Sequence, residues 1–134
     1  MEHILVDGKG AILGRLGSYV AKELLKGNQI SVINSEEVVI SGKRNAIVER
    51  INEKRRMGRG GSLKGPTYIR QSDRLLKRMI RGMLPWDRTK GREAYKRLKC
   101  YIGEEKIETD QTKTFDHNRP LKFTTMKEVV RGLK

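Results

Sequence analysis

Residues 4–33, ILVDGKGAILGRLGSYVAKELLKGNQISVI, contain the pattern from which the fold class follows. The first three residues are apolar and predict a buried strand. This strand ends at residues 7–10, which contain two glycines. Leucine, valine and alanine then recur at helical spacing over 13–24, and a Gly-Asn stop signal follows at 27–28. The apolar residues 30–33 predict a second strand. Two strands joined by a helix predict a β-α-β unit with parallel strands and a right-handed crossover.

The rest of the chain is predicted to add further elements to a single domain of residues 1–134. Residues 38–40 and 100–102 predict short strands, and residues 45–55 predict a helix. The segment from residue 104 to 134 is mixed and polar, so we expect an irregular tail with a short helix at 126–131.

Positive charge is concentrated in one part of the chain. Between residues 54 and 99 there are sixteen Lys or Arg and three acidic residues, a net charge of +13 out of +14 for the whole chain. Such a concentration repels itself unless a polyanion neutralises it, and nucleic acid is the commonest polyanionic partner. The aromatic fraction is only 5%, which favours recognition of backbone and shape over base stacking.

Residues 74–84 predict an amphipathic helix that ends at Pro85. At about 100° per residue its basic residues share one face, and its apolar residues, Met83 among them, gather on the other. Like charges three and four residues apart destabilise an isolated helix, so we interpret the basic face as binding nucleic acid rather than as solvated surface. We expect charge reversal of this face to remove RNA binding and leave the fold intact. The basic residues are Arg74, Lys77, Arg78 and Arg81.

Two further segments extend the predicted interface. Residues 91–99 predict a shorter helix with Arg92, Lys96 and Lys99 on its outer face. The glycine-rich loop 54–70 is expected to enter between RNA helices and to become ordered on binding. Trp86 either packs on the end of the preceding helix or stacks on a base or ribose, and the sequence favours neither.

The turn containing Gly8, Gly10 and Gly14 allows three interpretations. It lies between a strand and a helix, as a dinucleotide-binding motif would, and Glu36 follows the second strand, where a ribose-binding acid would lie. The glycine spacing departs from that motif and the chain lacks length for a second half, which favours a tight turn with close packing. The third interpretation is that the helix N-terminus binds a nucleic acid phosphate, with Lys9 and Arg15.

The sequence gives little support for catalysis, metal binding or a membrane location. His3 and His117 lack metal-ligand spacing, and no serine nucleophile motif or phosphate-binding lysine motif is present. Cys100 is the single cysteine, which predicts a buried, inert thiol in a reducing, cytoplasmic compartment. We find no signal peptide and no apolar run of membrane-spanning length. We therefore expect no enzyme activity and no cofactor.

Several motifs together resemble one family. VDGKGAILGRL at 6–16, INSE at 33–36, VISGK at 39–43, RGMLP at 81–85 and RLKCYIG at 97–103 resemble, in this order, the universal large-subunit ribosomal protein thirteen family. The resemblance covers about residues 2–103. The tail lacks the histidine-rich stretch of the bacterial pattern, which indicates the archaeal and eukaryotic branch.

The resemblance implies an α/β fold of three layers, α/β/α, with a four-stranded parallel sheet to which the strands near residues 4, 30, 38 and 100 can be fitted. It also implies a non-enzymatic protein of the large ribosomal subunit that binds ribosomal RNA and neighbouring ribosomal proteins and joins early in assembly. Together with the charge distribution it gives the predicted RNA-binding residues: Lys9, Arg15, Lys43, Arg44, Lys54, Arg55, Arg56, Arg59, Lys64, Arg70, Arg74, Lys77, Arg78, Arg81, Arg88, Lys90, Arg92, Lys96, Arg97 and Lys99.

Two alternatives from other classes are a nucleotide-dependent enzyme, which would use the glycine turn, and a free regulatory RNA- or DNA-binding protein. Composition alone does not separate the second alternative from a ribosomal protein, whereas the resemblance favours the ribosomal role.

Overall fold

The computed structural model describes residues 2–57, 69–115 and 120–133. These residues form strands and helices that alternate over the first half of the chain. In chain order the elements are β1 (His3–Asp7), α1 (Leu13–Leu25), β2 (Gln29–Ile33), a 3-10 turn (Ser35–Glu37), β3 (Val39–Ser41), α2 (Arg44–Arg55), α3 (Ser72–Arg81), α4 (Thr89–Lys96), β4 (Leu98–Cys100), β5 (Gln111–Lys113), β6 (Phe123–Thr125) and α5 (Met126–Gly132).

A four-stranded parallel sheet forms the centre of the described chain. Its strand order is β4-β2-β1-β5, and each neighbouring pair is parallel. Ile4 of β1 lies opposite Ile30 of β2, which in turn lies opposite Leu98 of β4. The predicted α/β class, the four-stranded parallel sheet and the parallel pairing of β1 with β2 are confirmed.

The expected third strand lies outside this sheet. Residues 39–41 form β3, which pairs antiparallel with β6, Ile40 opposite Thr124. The cause lies in the preceding turn, where Asn34 adopts a left-handed backbone (φ 54°) and begins the 3-10 turn that redirects the chain after β2. The Val39 N–H then donates to the carbonyl of Ala11 at 2.8 Å, beside the start of α1.

The fourth strand of the sheet comes from the segment expected to be irregular. All three residues of β5 are exposed, so no apolar alternation marks this strand in the sequence. Main-chain pairing with β1 holds this strand in the sheet. Asp110, just before it, makes two hydrogen bonds with His3. The Asp110 N–H donates to the His3 carbonyl at 2.8 Å, and the His3 N–H donates to Asp110 Oδ2 at 2.9 Å. The same segment contains β6 and α5, and the predicted helix at 126–131 is confirmed.

The sheet and the helices share one hydrophobic core. Ile4, Val6, Ile30 and Val32 of the sheet cluster with the buried leucines and valine of α1 and with the buried apolar face of α3. Helix α2 joins this cluster through Ile47 and Ile51, and α5 joins it through Met126 and Val129, each 0% exposed. The positions of α2, α3 and α4 around this core determine where their basic side chains lie. No helix among the described residues is long and apolar enough to cross a bilayer.

Candidate nucleic-acid interface

Helix α3 buries one face and directs basic residues away from the core. Leu75, Leu76 and Ile80 are fully buried, whereas Arg74 is exposed. The predicted amphipathic helix is thus confirmed, although it ends at Arg81 and its remaining predicted residues form a turn. Met83 in that turn is inward only in part: it is 39% exposed, while its sulfur and methyl carbon lie beside Gly17 of α1. The turn departs from the helical spacing on which the expectation of an inward Met83 depends.

Two of the α3 cations lie on aromatic rings. The guanidinium carbon of Arg81 is 3.9 Å from the ring centroid of Trp86, and Nζ of Lys77 is 4.7 Å from that of Tyr95. The two rings pack edge to face, with centroids 5.2 Å apart at 89°. We call these four residues the aromatic–cation cluster. Trp86 therefore packs on the end of α3, which is the first of the two interpretations that the sequence leaves open.

The aromatic–cation cluster orients charge that no described acidic residue neutralises. Within the described ranges, no carboxylate lies within ion-pair distance of Lys77 or Arg81. Nε of Arg81 is buried and has no hydrogen-bond partner there, so the ring contact, not a hydrogen bond from Nε, orients the guanidinium. Arg92 of α4 contacts the aromatic–cation cluster, since its Nε donates to the Trp86 carbonyl at 2.9 Å. These contacts link the basic residues of α3 to those of α4.

Burial changes the ionisation of two groups beside these cations. Burial raises the pKa of Tyr95, and the positive charges of Arg81 and Arg78 offset part of this rise. Burial also raises the pKa of the Cys100 thiol to about 12, against a smaller lowering by Lys77. Cys100 is therefore a neutral thiol at physiological pH, which supports the prediction that it is inert.

Helices α2 and α3 form a groove that the distribution of charge along the sequence does not reveal. Its more buried lining, which we call the floor, contains Ile47 and Ile51 of α2 and Met79 of α3, and Leu13 of α1 and Ile40 of β3 adjoin it. Its exposed lining, which we call the mouth, contains Gly82 and Met83. Three basic residues line it, one of them outside the predicted set: Arg50, Lys54 and Arg78. We call it the α2–α3 groove.

Arg50 is a basic residue that sequence reasoning missed. It precedes the most basic segment and lies between Glu49 and Glu53 in the sequence, so local charge counting conceals it. Its spacing of four residues from Lys54 on a helix would have placed both side chains on one face of α2.

A second basic neighbourhood lies at the edge of the sheet. Lys96, Arg97 and Lys99 line a cleft together with His3 and Tyr101. Lys99 lies in β4, not on the outer face of the preceding helix as expected, because α4 ends at Lys96. Nη2 of Arg97 donates to the Leu24 carbonyl at 2.7 Å, so this side chain also satisfies the C-terminal end of α1.

The remaining predicted residues are distributed around the molecule. Lys43 and Arg44 lie at the start of α2, where Nε of Arg44 donates to the Glu128 carbonyl at 3.3 Å. Arg55 and Arg56 lie at the end of the same helix, Arg55 half-buried and Arg56 exposed, and the other described members are exposed: Lys9, Arg15, Arg70, Arg88 and Lys90. Arg59 and Lys64, with most of the predicted loop, lie outside the described residues.

The glycine turn before α1 is a packing feature. A Cβ on Gly8 would lie 2.9 Å from both the Ile33 carbonyl oxygen and a methyl carbon of Val38, so the turn is in close contact with the end of β2. Asn34 Nδ2 donates to Asp7 Oδ1 at 2.9 Å. The carboxylate of Glu36 accepts from the Gly103 N–H at 3.0 Å, which gives this acid an internal role in place of a ribose contact. These contacts favour the tight-turn interpretation. The role of Lys9 and Arg15 at the helix N-terminus stays a prediction.

The fold and the surface together define a class of protein: a small α/β protein whose basic side chains gather on the outer sides of α2, α3 and α4, as in proteins that bind polyanions. Comparison with protein families matches residues 1–107 to the family described as Ribosomal protein L13. The chain belongs to this family.

Individual relatives agree with the family match, and each is named Large ribosomal subunit protein uL13. The chain is 45% identical to the protein of Methanopyrus kandleri over 124 residues, covering 88% of this chain and 77% of the relative. It is 40% identical to that of Methanocaldococcus jannaschii, covering 96% of each chain, and 36% identical to that of Natronomonas pharaonis, covering 97% and 90%. The resemblance and the prediction of a cytoplasmic ribosomal protein without enzyme activity are confirmed, and these archaeal relatives agree with the predicted archaeal and eukaryotic branch.

Proposed function

We propose that this ribosomal protein is a structural constituent of the large subunit that binds ribosomal RNA through the basic side chains of α2, α3, α4 and β4. The relatives are large-subunit proteins by name, which supports the subunit. RNA binding is supported by the +13 charge of residues 54–99. We further propose that this binding stabilises RNA structure early in assembly and that the chain also contacts neighbouring ribosomal proteins.

The observation that carries the proposal is the aromatic–cation cluster. The charges of Lys77 and Arg81 are held in position by aromatic rings, and no described carboxylate lies in ion-pair range of them. Both charges are therefore available to bind an anion from outside the protein. A guanidinium can bind two phosphate oxygens at once, and stacking on Trp86 reduces the conformational freedom that binding would otherwise remove. Contacts of this kind position the RNA backbone without reading bases, and A-form RNA is recognised largely by its shape.

The predicted residues have different parts in this proposal. Exposed side chains such as Arg74, Arg88 and Lys90 are suited to direct phosphate contact. Lys77 and Arg81 contact the RNA from fixed positions on their rings. Arg97 contributes mainly to the fold through its bond to the Leu24 carbonyl, and it lines the cleft together with Lys96 and Lys99.

The test is sedimentation of a native extract through a sucrose gradient, with each fraction probed for this chain. We expect recovery with the large subunit, retention after a moderate-salt wash, and release after ribonuclease treatment. Recovery only at the top of the gradient would contradict the proposal. Retention after complete digestion of the RNA would show that protein contacts, and not RNA, hold the chain.

A further inference from the structure

The α2–α3 groove differs from the rest of the basic surface because its floor is apolar. Isoleucine and methionine side chains form the floor, and the basic residues Arg50, Lys54 and Arg78 line its sides. Its volume is about 340 Å³, within the range of small-ligand sites, roughly 300–1,000 Å³. Phosphate contacts alone require no apolar floor, so the groove fits a ligand that combines negative charge with an apolar body.

We propose that this groove binds one unpaired nucleotide of the RNA, with its base against the apolar floor and its phosphates against the basic residues. The inference rests on the proposed RNA-binding function and adds a site to it. Proteins commonly recognise RNA through unpaired nucleotides whose bases turn out of the helix. Such a nucleotide offers both a flat apolar surface and an adjacent phosphate.

The composition of the groove favours a nucleotide over a segment of a neighbouring protein. No acidic residue is among the described residues that line it, and basic residues come from both helices. Met79 is suited to an aromatic base, because thioether sulfur makes favourable contacts with aromatic rings and the unbranched side chain adapts to different shapes. The sulfur of Met83 instead packs beside Gly17 of α1. Arg78 belongs both to the basic face of α3 and to the groove, so an RNA strand bound along α3 passes its mouth.

Gly82 allows the groove to be filled without changing any charge. It lies at the mouth, and a Cβ there would meet only the Met79 carbonyl oxygen, at 3.5 Å, so a side chain fits without displacing the backbone. Its φ of −65° suits any residue. The matched control is Gly14, which is exposed, has open space within 4 Å of the position that a Cβ would take, and does not line the groove. Gly82→Leu and Gly14→Leu thus add the same side chain inside and outside the site.

The experiment compares two RNA hairpins, one fully paired and one with a single unpaired adenosine in its stem, by fluorescence anisotropy with the full chain. We expect the wild-type protein to bind the second hairpin about tenfold more tightly, the effect of burying one base face. Gly82→Leu should remove this preference while binding of the paired hairpin stays unchanged, and Gly14→Leu should retain it. If Gly82→Leu does not fold, Met83→Gln replaces it, since Met83 is already half-exposed.

Equal affinity of the wild-type protein for both hairpins would overturn the inference. A preference that survives in Gly82→Leu would overturn it as well, because the unpaired nucleotide would then bind elsewhere. If the proposed RNA-binding function itself is wrong, the wild-type protein will bind neither hairpin, which distinguishes that outcome from the two above.

Discussion

Gly91 is the residue at which the packing of α4 leaves no space. A Cβ at this position would overlap the carbonyl of Pro85 and lie 3.0 Å from its Cγ. Since these are backbone and ring atoms, they cannot move aside as a flexible side chain would. We expect Gly91→Ala to lower the free energy of unfolding by about 2 kcal/mol, measured by urea denaturation. Gly14→Ala, which enters open space in α1, should leave stability unchanged or raise it slightly. Equal effects of the two substitutions would contradict this packing.

The contact between Arg81 and Trp86 should appear as an energetic coupling. Arg81→Met keeps the aliphatic stem and removes the charge, and Trp86→Leu removes the ring. We expect the double variant to be less destabilised than the sum of the single variants by about 0.5–2 kcal/mol, the range for a cation on an aromatic face. Thermal and urea denaturation of the four proteins measure this value. Arg74→Met, on the exposed side of the same helix, should be additive with Trp86→Leu, and equal coupling in both cycles would refute a specific contact.

Cys100 gives the fold a pH dependence on the alkaline side. Its pKa is about 12 in the folded chain, against an ordinary value of 9.0. Between these values the unfolded chain releases the thiol proton and the folded chain keeps it, so the free energy of unfolding falls as pH rises above about 9. We expect the wild type to lose about 1 kcal/mol more than Cys100→Ala between pH 8 and pH 10 in urea denaturation. Identical pH profiles would show that the thiol ionises freely in the folded state.

At the scale of elements, α5 is part of the core despite its position in a polar segment. Met126 and Val129 are fully buried, and the Thr125 hydroxyl accepts from the Glu128 N–H at 3.4 Å to cap the helix. We expect Met126→Ala to lower the free energy of unfolding by about 2–5 kcal/mol, measured by thermal denaturation. Lys127→Ala, one residue on and exposed, should change it little. Tolerance of both substitutions would mean that α5 is not needed for the folded core.

The elements also show what a single sequence can and cannot predict. Four elements were predictable because their apolar residues follow the pattern typical of a strand or of a helix: β1, α1, β2 and the amphipathic α3. β5 was not, because an exposed edge strand is specified by its main-chain partner and not by its side chains. β3 was assigned to the wrong sheet because an apolar run does not show which strand it will pair with. Arg50 was missed, since the groove to which it belongs is lined by residues that are far apart in the sequence and come together only in the folded chain.

For the whole molecule, the charge determines how strongly the proposed RNA binding should depend on salt. If roughly ten cations each neutralise one phosphate, log affinity falls with log salt with a slope of about −7 to −9. Neutralising Arg74, Arg88 and Lys90 to Gln should make that slope shallower by about 2 to 3. The matched control neutralises three exposed lysines outside the predicted set, Lys22, Lys106 and Lys127, and should alter the slope less. A wild-type slope shallower than about −3, or equal effects of the two triple variants, would contradict the proposed interface.

The pairing of β1 with β5 has a consequence for the order in which this molecule is made. Ile4 lies opposite Gln111, so neighbours in the sheet are separated by most of the chain. During synthesis the whole basic segment emerges before β1 acquires its second neighbour, and one edge of that strand stays open until then. Closure of so long a loop is slow compared with the formation of local helices. If RNA binds α3 and α4 at this stage, as proposed, it meets a chain whose sheet is still incomplete, and the sheet then closes in a protein that already holds RNA.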